Sequence, residues 1–143
     1  MNEIPNCFYR VSVKALVLNE TKDKFLLCRE VDGRWELPGG GLDWDIKPQE
    51  DLPRELMEEM GIKATFIADN PSYFITGRST NYPEIRIANI LYETKLEHLN
   101  FTQSDECIEI RFVNKNDVEG MELFDGPRKL LEMFNPENHI KKF

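Results

Sequence analysis

Arg54-Glu55-Leu56-Met57-Glu58-Glu59-Met60-Gly61-Ile62 joins an apolar stripe to an acidic one on a single helix. A helix turns about 100° per residue. Leu52, Leu56, Met57 and Met60 then share one face, the one expected to be buried. Glu55, Glu58 and Glu59 share the face beside it. Like charges at i,i+4 destabilise a helix by about 0.2–0.5 kcal/mol. From Glu50 to Met60 five acids stand against one base, Arg54, a net of −4 and half of the chain's −8. A hard cation such as Mg²⁺ or Mn²⁺ prefers carboxylate and carbonyl oxygens. Placed there, it relieves the repulsion and leaves positions for phosphate oxygens.

A charge run on a helix is most often a solvated face. Here it follows a glycine-rich turn, Trp35-Glu36-Leu37-Pro38-Gly39-Gly40-Gly41-Leu42-Asp43, and ends in a Gly-Ile stop. The joint pattern is far more specific than a bare acidic helix.

These residues resemble the signature of the Nudix (MutT-like) hydrolases, Gly-x5-Glu-x7-Arg-Glu-U-x-Glu-Glu-x-Gly-U, with U a bulky aliphatic. The corresponding residues are Gly40, Ile46, Arg54, Glu55, Leu56, Glu58, Glu59, Gly61 and Ile62, and eight of the nine match. The resemblance implies an α/β fold over residues 1–143, a single Nudix-type α/β/α sandwich with a mixed central sheet. It implies Glu58 and Glu59 as ligands of Mg²⁺ or Mn²⁺, with Glu55 as a further ligand or the base that activates water. The carbonyl of Gly39 is another ligand, and Arg54 orients the carboxylates. A further acid from beyond the sheet is expected at Glu106. Glu109, the alternative, alternates with Ile108, Ile110 and Phe112 and reads as the solvent side of a strand.

Three positions depart from the pattern. Ile46 stands where the signature has its first Glu, which supports the loop–helix junction partly through the Arg. Glu50, four residues before Arg54, is the expected substitute. Asp45 stands where Gly is common. Pro53 is acceptable only in a first turn, so the regular helix is expected to start near Asp51, with Asp51 as N-cap; the other reading is an earlier start with a kink.

The implied reaction is hydrolysis of a pyrophosphate bond in a nucleoside diphosphate linked to a group X: a nucleoside triphosphate, or an ADP-ribose-like or nucleotide-sugar substrate. Metal ions neutralise the phosphates and lower the pKa of bound water, and a carboxylate in hydrogen-bond reach takes its proton. Gly40, Trp44 and Arg78 are expected at the substrate, Trp44 from the approach loop and Arg78 as a phosphate contact. Trp35, Tyr73, Phe74, Tyr82 and Phe101 are further aromatic candidates, with Phe74 more readily placed in the core. His98 and His139 read as surface residues.

Composition narrows the class. With 143 residues, 41% hydrophobic and 31% charged, one globular domain is expected. The acidic balance argues against a nucleic-acid polymer as partner. No apolar run approaches the roughly 20 residues of a membrane span. Met1–Asn6 has neither a basic start nor an apolar run, so a cytoplasmic monomer or homodimer acting on a small nucleotide is expected. Cys7, Cys28 and Cys107 form neither a metal pattern nor a disulfide framework, and Cys28 and Cys107 read as buried thiols.

Along the chain, strands are expected at 10–18, 24–29, 35–37, within 63–74 with a break near Asn70-Pro71, at 84–93 and at 106–113. A helical turn is expected at 117–121, and a helix from Asp125 to about Phe134 buries Leu130, Leu131 and Phe134. Two other function classes remain open. One is a non-catalytic nucleotide-binding or regulatory domain on the same fold, suggested by Ile46, Asp45 and Pro53. The other, an acidic interaction module, leaves the glycine turn unexplained.

Overall fold

Alternation along strand β1 (Tyr9–Leu16) sends Val13 and Ala15 to one face and Leu16 to the other, and both faces are covered. The computed structural model describes residues 3–140. After β1 come β2 (Phe25–Arg29), β3 (Arg34–Glu36), β4 (Gly39–Gly41), helix α1 (Pro48–Met60), β5 (Ala64–Ile67), β6 (Tyr73–Arg78), β7 (Arg86–Leu96), β8 (Glu109–Val113), β9 (Glu122–Leu123) and helix α2 (Asp125–Met133). A 3₁₀ turn at Pro136–His139 follows.

One sheet runs β4-β1-β7-β5, with β6 also paired to β7; the other runs β8-β2-β3-β9. The β1–β7 and β3–β9 pairs are parallel and the rest antiparallel, so the sheets are mixed. On one side Leu52, Leu56 and Met60 of α1 pack with Val13, Ala15, Val17, Leu26 and Cys28. On the other, Leu130 and Leu131 of α2 pack with Leu16, Phe25, Leu27, Trp35 and Leu91. This is the expected α/β/α sandwich, with one helix closing each face. Among the described residues, no helix is long and apolar enough to cross a membrane.

The helix begins earlier than expected. Lys47, not Asp51, is the N-cap, Pro48 takes the first turn and Pro53 lies inside the helix. Pro48 suits a first turn, and Asp51 and Leu52 are buried parts of the helix. Gln49 Nε2 donates to the carbonyls of Ala68 (3.2 Å) and Asp69 (3.3 Å), pinning the first turn to the segment after β5. Packing thus outweighs the local penalty of Pro53. Met57, assigned above to the buried stripe, is exposed, because the face centred on Leu52, Leu56 and Met60 is narrower. Gly61 ends the helix in the left-handed region at φ 66°, its N–H donating to Met57 O.

Other expectations also change. Phe74 is exposed: on edge strand β6 its neighbours Tyr73 and Ile75 point inward and it points out. Residues 117–121 form no helix; Asp117 instead accepts from the Asn114 N–H in a side-chain-closed turn. The two-residue β9 had no sequence signal. His139 is buried rather than at the surface. Its Nε2 lies 2.9 Å from Tyr73 Oη and its Nδ1 2.8 Å from Glu93 Oε1, while its carbonyl accepts from Lys22 Nζ. His98 is exposed, as expected.

Candidate active site

Strand β4 is the hinge of the site. It pairs with β1 in the register Ser12↔Gly41, Val13↔Gly40 and Lys14↔Gly39, which holds the glycine turn against the centre of the sheet. Ala15 N–H donates to Pro38 O at 2.8 Å and continues that grip. Gly39 has φ 138°, and a Cβ there would run into the Val13 carbonyl, so the close approach of the two backbones requires glycine. Asp45 adopts φ 66°. This accounts for a residue other than Gly at that position, since Asp tolerates the left-handed region better than most side chains.

Helix α1 faces this turn. The Glu59 carboxylate is 5% exposed and accepts from Gly39 N–H at 3.3 and 3.4 Å. Burial pushes its carboxyl up to about 9; Lys14 pulls it down and the charge of Glu106 pushes it further up. The Glu55 carboxylate lies against Gly40, where a Cβ would come 2.7 Å from it, and burial raises its pKa too. Glu58 is largely exposed and is held by Arg54 Nη1 at 2.7 Å. Arg54 also donates to Glu55 (2.8 Å) and, through Nε and Nη2, to Asp51 (3.2 and 2.7 Å).

The substitute for the missing first Glu is therefore not Glu50. Asp51, 3% exposed, takes the Arg54 guanidinium. The earlier helix start places it at i,i+3 on the buried side, whereas a start at Asp51 would have made it a cap.

Glu106 is exposed in a tight turn closed by reciprocal Ser104–Cys107 backbone bonds of 3.1 Å. Ser104 Oγ donates to Glu59 O at 2.7 Å, so this turn is tied to the end of α1. Glu109 is half-buried and paired with Arg29 and Arg111. Trp44 is 92% exposed in the loop between β4 and α1. Arg78 ends β6, separated from β4 by β1 and β7, and its N–H donates to Asp125. Trp35 is buried with the Arg29 and Arg111 guanidiniums over its ring, and Tyr73 is buried as well, so neither offers a free face. Cys28 and Cys107 are buried, as expected.

Sequence reasoning missed Lys14. It lies mid-β1, 7% exposed, with Nζ donating to Leu37 O at 3.4 Å. Little marks it in the sequence: β1 also carries Arg10 and Ser12, and Lys14 shares a face with Ser12 and Leu16. Glu36, half-buried, is raised by burial and lowered by Lys14.

The donor set suits a hard divalent ion in kind: carboxylates of Glu55, Glu58, Glu59 and Glu106 and the Gly39 carbonyl. The buried Glu59 carboxylate has one donor, the Gly39 N–H, shared between its two oxygens at 3.3 and 3.4 Å. Among the described residues, no three acidic, His or Cys side chains converge at metal-holding distance, and the Glu58 carboxylate is bonded to Arg54.

Comparison with known proteins agrees with this geometry. The NUDIX domain profile matches residues 8–134. The solved MutT protein from Methanosarcina mazei Go1 superposes with a TM-score of 0.73 at 30% identity, covering 94% of this chain and 98% of the other. An RNA pyrophosphohydrolase of a Nitratiruptor species is 37% identical over 90 residues, 59% of this chain and 55% of the relative. A MutT-like protein of Streptomyces ambofaciens is 40% identical over 55 residues, 38% of this chain and 36% of the relative. The matches thus span about a third to just over half of those curated relatives. An ADP-ribose pyrophosphatase from Streptococcus suis 89-1591 shares the fold, with a TM-score of 0.60 at 23% identity over 95% of this chain and 96% of the other. With the profile running from before β1 to the end of α2, the chain belongs to the Nudix family of MutT-like hydrolases.

Proposed function

We propose that this protein hydrolyses a pyrophosphate bond in a nucleoside diphosphate linked to a group X, using Mg²⁺ or Mn²⁺. The observation that carries the reading is the meeting of Glu55 and Glu59 with the Gly39–Gly40 turn, with Glu58 one turn beyond Glu55. The names of its relatives, an RNA pyrophosphohydrolase among curated proteins and a UDP-X diphosphatase among proteins of the same fold, share this bond.

Glu58, Glu59, the Gly39 carbonyl and Glu106 would hold the ion. When bound, it supplies charge neutralisation at the phosphates and a lowered pKa for water. Glu55, partly buried with a raised pKa, would take a proton from water at its carboxylate or serve as a further ligand. Arg54 bridges the carboxylates of Glu55 and Glu58 and would orient them at the ion. Gly40 leaves the room that Glu55 occupies. Trp44, fully accessible in the approach loop, offers an aromatic face to the nucleoside or to X. Arg78 would reach a phosphate from the end of β6. Nucleoside triphosphates are the first substrates to try, then ADP-ribose-like compounds and nucleotide sugars.

The test is release of phosphate or pyrophosphate from a nucleotide panel with Mg²⁺ or Mn²⁺, wild type beside Glu58→Gln plus Glu59→Gln. Turnover that needs metal and is lost in the double variant is the expected result. Compounds that raise the melting temperature without turning over would instead indicate a binding domain.

A further inference from the structure

Past the end of β1, between the turn into β2, the end of β7 and strands β5 and β8, lies a cavity of about 480 Å³ that shares no residue with the candidate active site. Val17, Phe66, Leu96, Leu99 and Phe112 form its apolar wall. Phe66 and Leu99 stay 47% and 46% exposed, so part of that wall is turned to solvent. A concave apolar wall of this size with a few polar groups at its edge is the usual build of a small-molecule site.

Two lysines belong to the same lining. Lys22 Nζ donates to the His139 carbonyl at 3.1 Å, and Lys95 Nζ lies 5.8 Å from the centre of the Phe66 ring. Among the described residues, neither ammonium has a carboxylate partner. Of the two acids in the lining, Glu93 is taken by His139 Nδ1 at 2.8 Å, and Glu20 is exposed. Lys22 is also placed at a cost. It adopts φ 60°, in the left-handed region that side chains with a Cβ rarely take. Its N–H donates to Asn19 O at 3.1 Å, and Asn19 fixes the turn by accepting from Lys24 N–H and donating to Asp23.

We propose that this cavity binds a small amphipathic anion, an aliphatic chain ending in a carboxylate. The chain lies against Phe66, Leu96, Leu99 and Phe112, with its charged end at Lys22 and Lys95. Lys22 keeps donors to spare beyond its bond to His139 O. A carboxylate meets the positive charge that the chain's own acids leave unpaired. A neutral chain gains only the apolar wall, and a cationic one is repelled by both lysines. The proposal is independent of the metal-site reading.

The test titrates the full chain with decanoate, well below the concentration at which it forms micelles. Decanol and decylammonium serve as neutral and cationic counterparts of equal length. Calorimetry and the shift in Tm read binding. Decanoate is expected to bind one to one and raise Tm, with decanol about tenfold weaker and decylammonium weaker still. Lys22→Gln and Lys95→Gln should each weaken decanoate several-fold and leave decanol unchanged. Leu99→Asp, which puts a charge in the apolar wall, should abolish binding of both decanoate and decanol. Should Lys22→Gln weaken the fold, the exposed Lys95 carries the comparison. Decanoate that does not bind saturably, or binds no better than decanol, overturns the proposal, as does unchanged decanoate affinity in the lysine variants.

Discussion

Asp51 and Arg54 form an ion pair along α1 that ties the outer guanidinium to the buried side of the helix: Arg54 Nη2 sits 2.7 Å from Asp51 Oδ1, and the aspartate is 3% exposed. The other carboxylate oxygen, Oδ2, is buried without a partner. Asp51→Ala is therefore expected to destabilise the fold by roughly 2 kcal/mol. Glu50→Gln, on the exposed side, should stay within about 0.5 kcal/mol of wild type. Denaturant midpoints of the two variants check this, and equal losses would show that Asp51 is not the anchor.

Restoring the signature acid should change little. The Arg54 donors are already committed to Asp51, Glu55 and Glu58. Ile46→Glu is expected to leave turnover within about twofold of wild type. A tenfold gain would mean that the junction is the weak point of the site.

The raised acids give the metal-free protein a pH signature. Burial lifts Glu59 from 4.5 to about 9 and also raises Glu36, Glu55 and Glu30. Between those values the folded chain binds more protons than the unfolded one, so stability falls as pH rises. The Glu59 contribution is complete below about 4.5 and is lost as pH passes about 9. In chelator, wild-type Tm should drop from pH 5 to pH 9, with a shallower slope for Glu59→Gln. Because a ligand carboxylate must be deprotonated, the Tm gain from Mn²⁺ should grow over the same range. Parallel slopes for the two proteins would refute the assignment.

Gly40 tests the contact with Glu55. A Cβ would come 2.7 Å from that carboxylate and push it aside. A displacement on the order of 1 Å at a reacting group costs about 100-fold in rate. Gly40→Ala should therefore lose about that much kcat with a nearly unchanged Tm, measured on whichever nucleotide the panel identifies.

Trp44 tests the substrate side. At 92% exposure it contributes nothing to packing, so Trp44→Ala should leave Tm unchanged. If it stacks on the nucleoside, KM should rise about tenfold with kcat little altered. An unchanged KM would remove it from the site.

Much of the architecture was legible because it is periodic. Period-two alternation in β1 and the Leu52–Leu56–Met60 stripe of α1 identified the two faces that pack together. What failed was decided by contacts distant in sequence. Pro53 misplaced the helix start because the Gln49 bonds to residues 68 and 69 have no local signal. That error carried over to Glu50, since the true partner of Arg54 looked like a cap. Phe74 and His139 were exchanged between core and surface: an edge strand leaves one face bare, while a late polar turn can be drawn inside by Tyr73 and Glu93. In the site, the helix acids were readable from spacing. Lys14 was not, because its partners come from other segments.

The buried His139 also bears on how long the folded state lasts. Its bonds reach Tyr73 and Glu93, and its carbonyl meets Lys22 across 117 positions of chain. Closing such long loops costs chain entropy, and these contacts are expected to form after the transition state for folding. Substituting His139 should accordingly leave refolding almost as fast as in wild type and speed unfolding, so that this clasp guards the kinetic lifetime of the protein more than its rate of assembly.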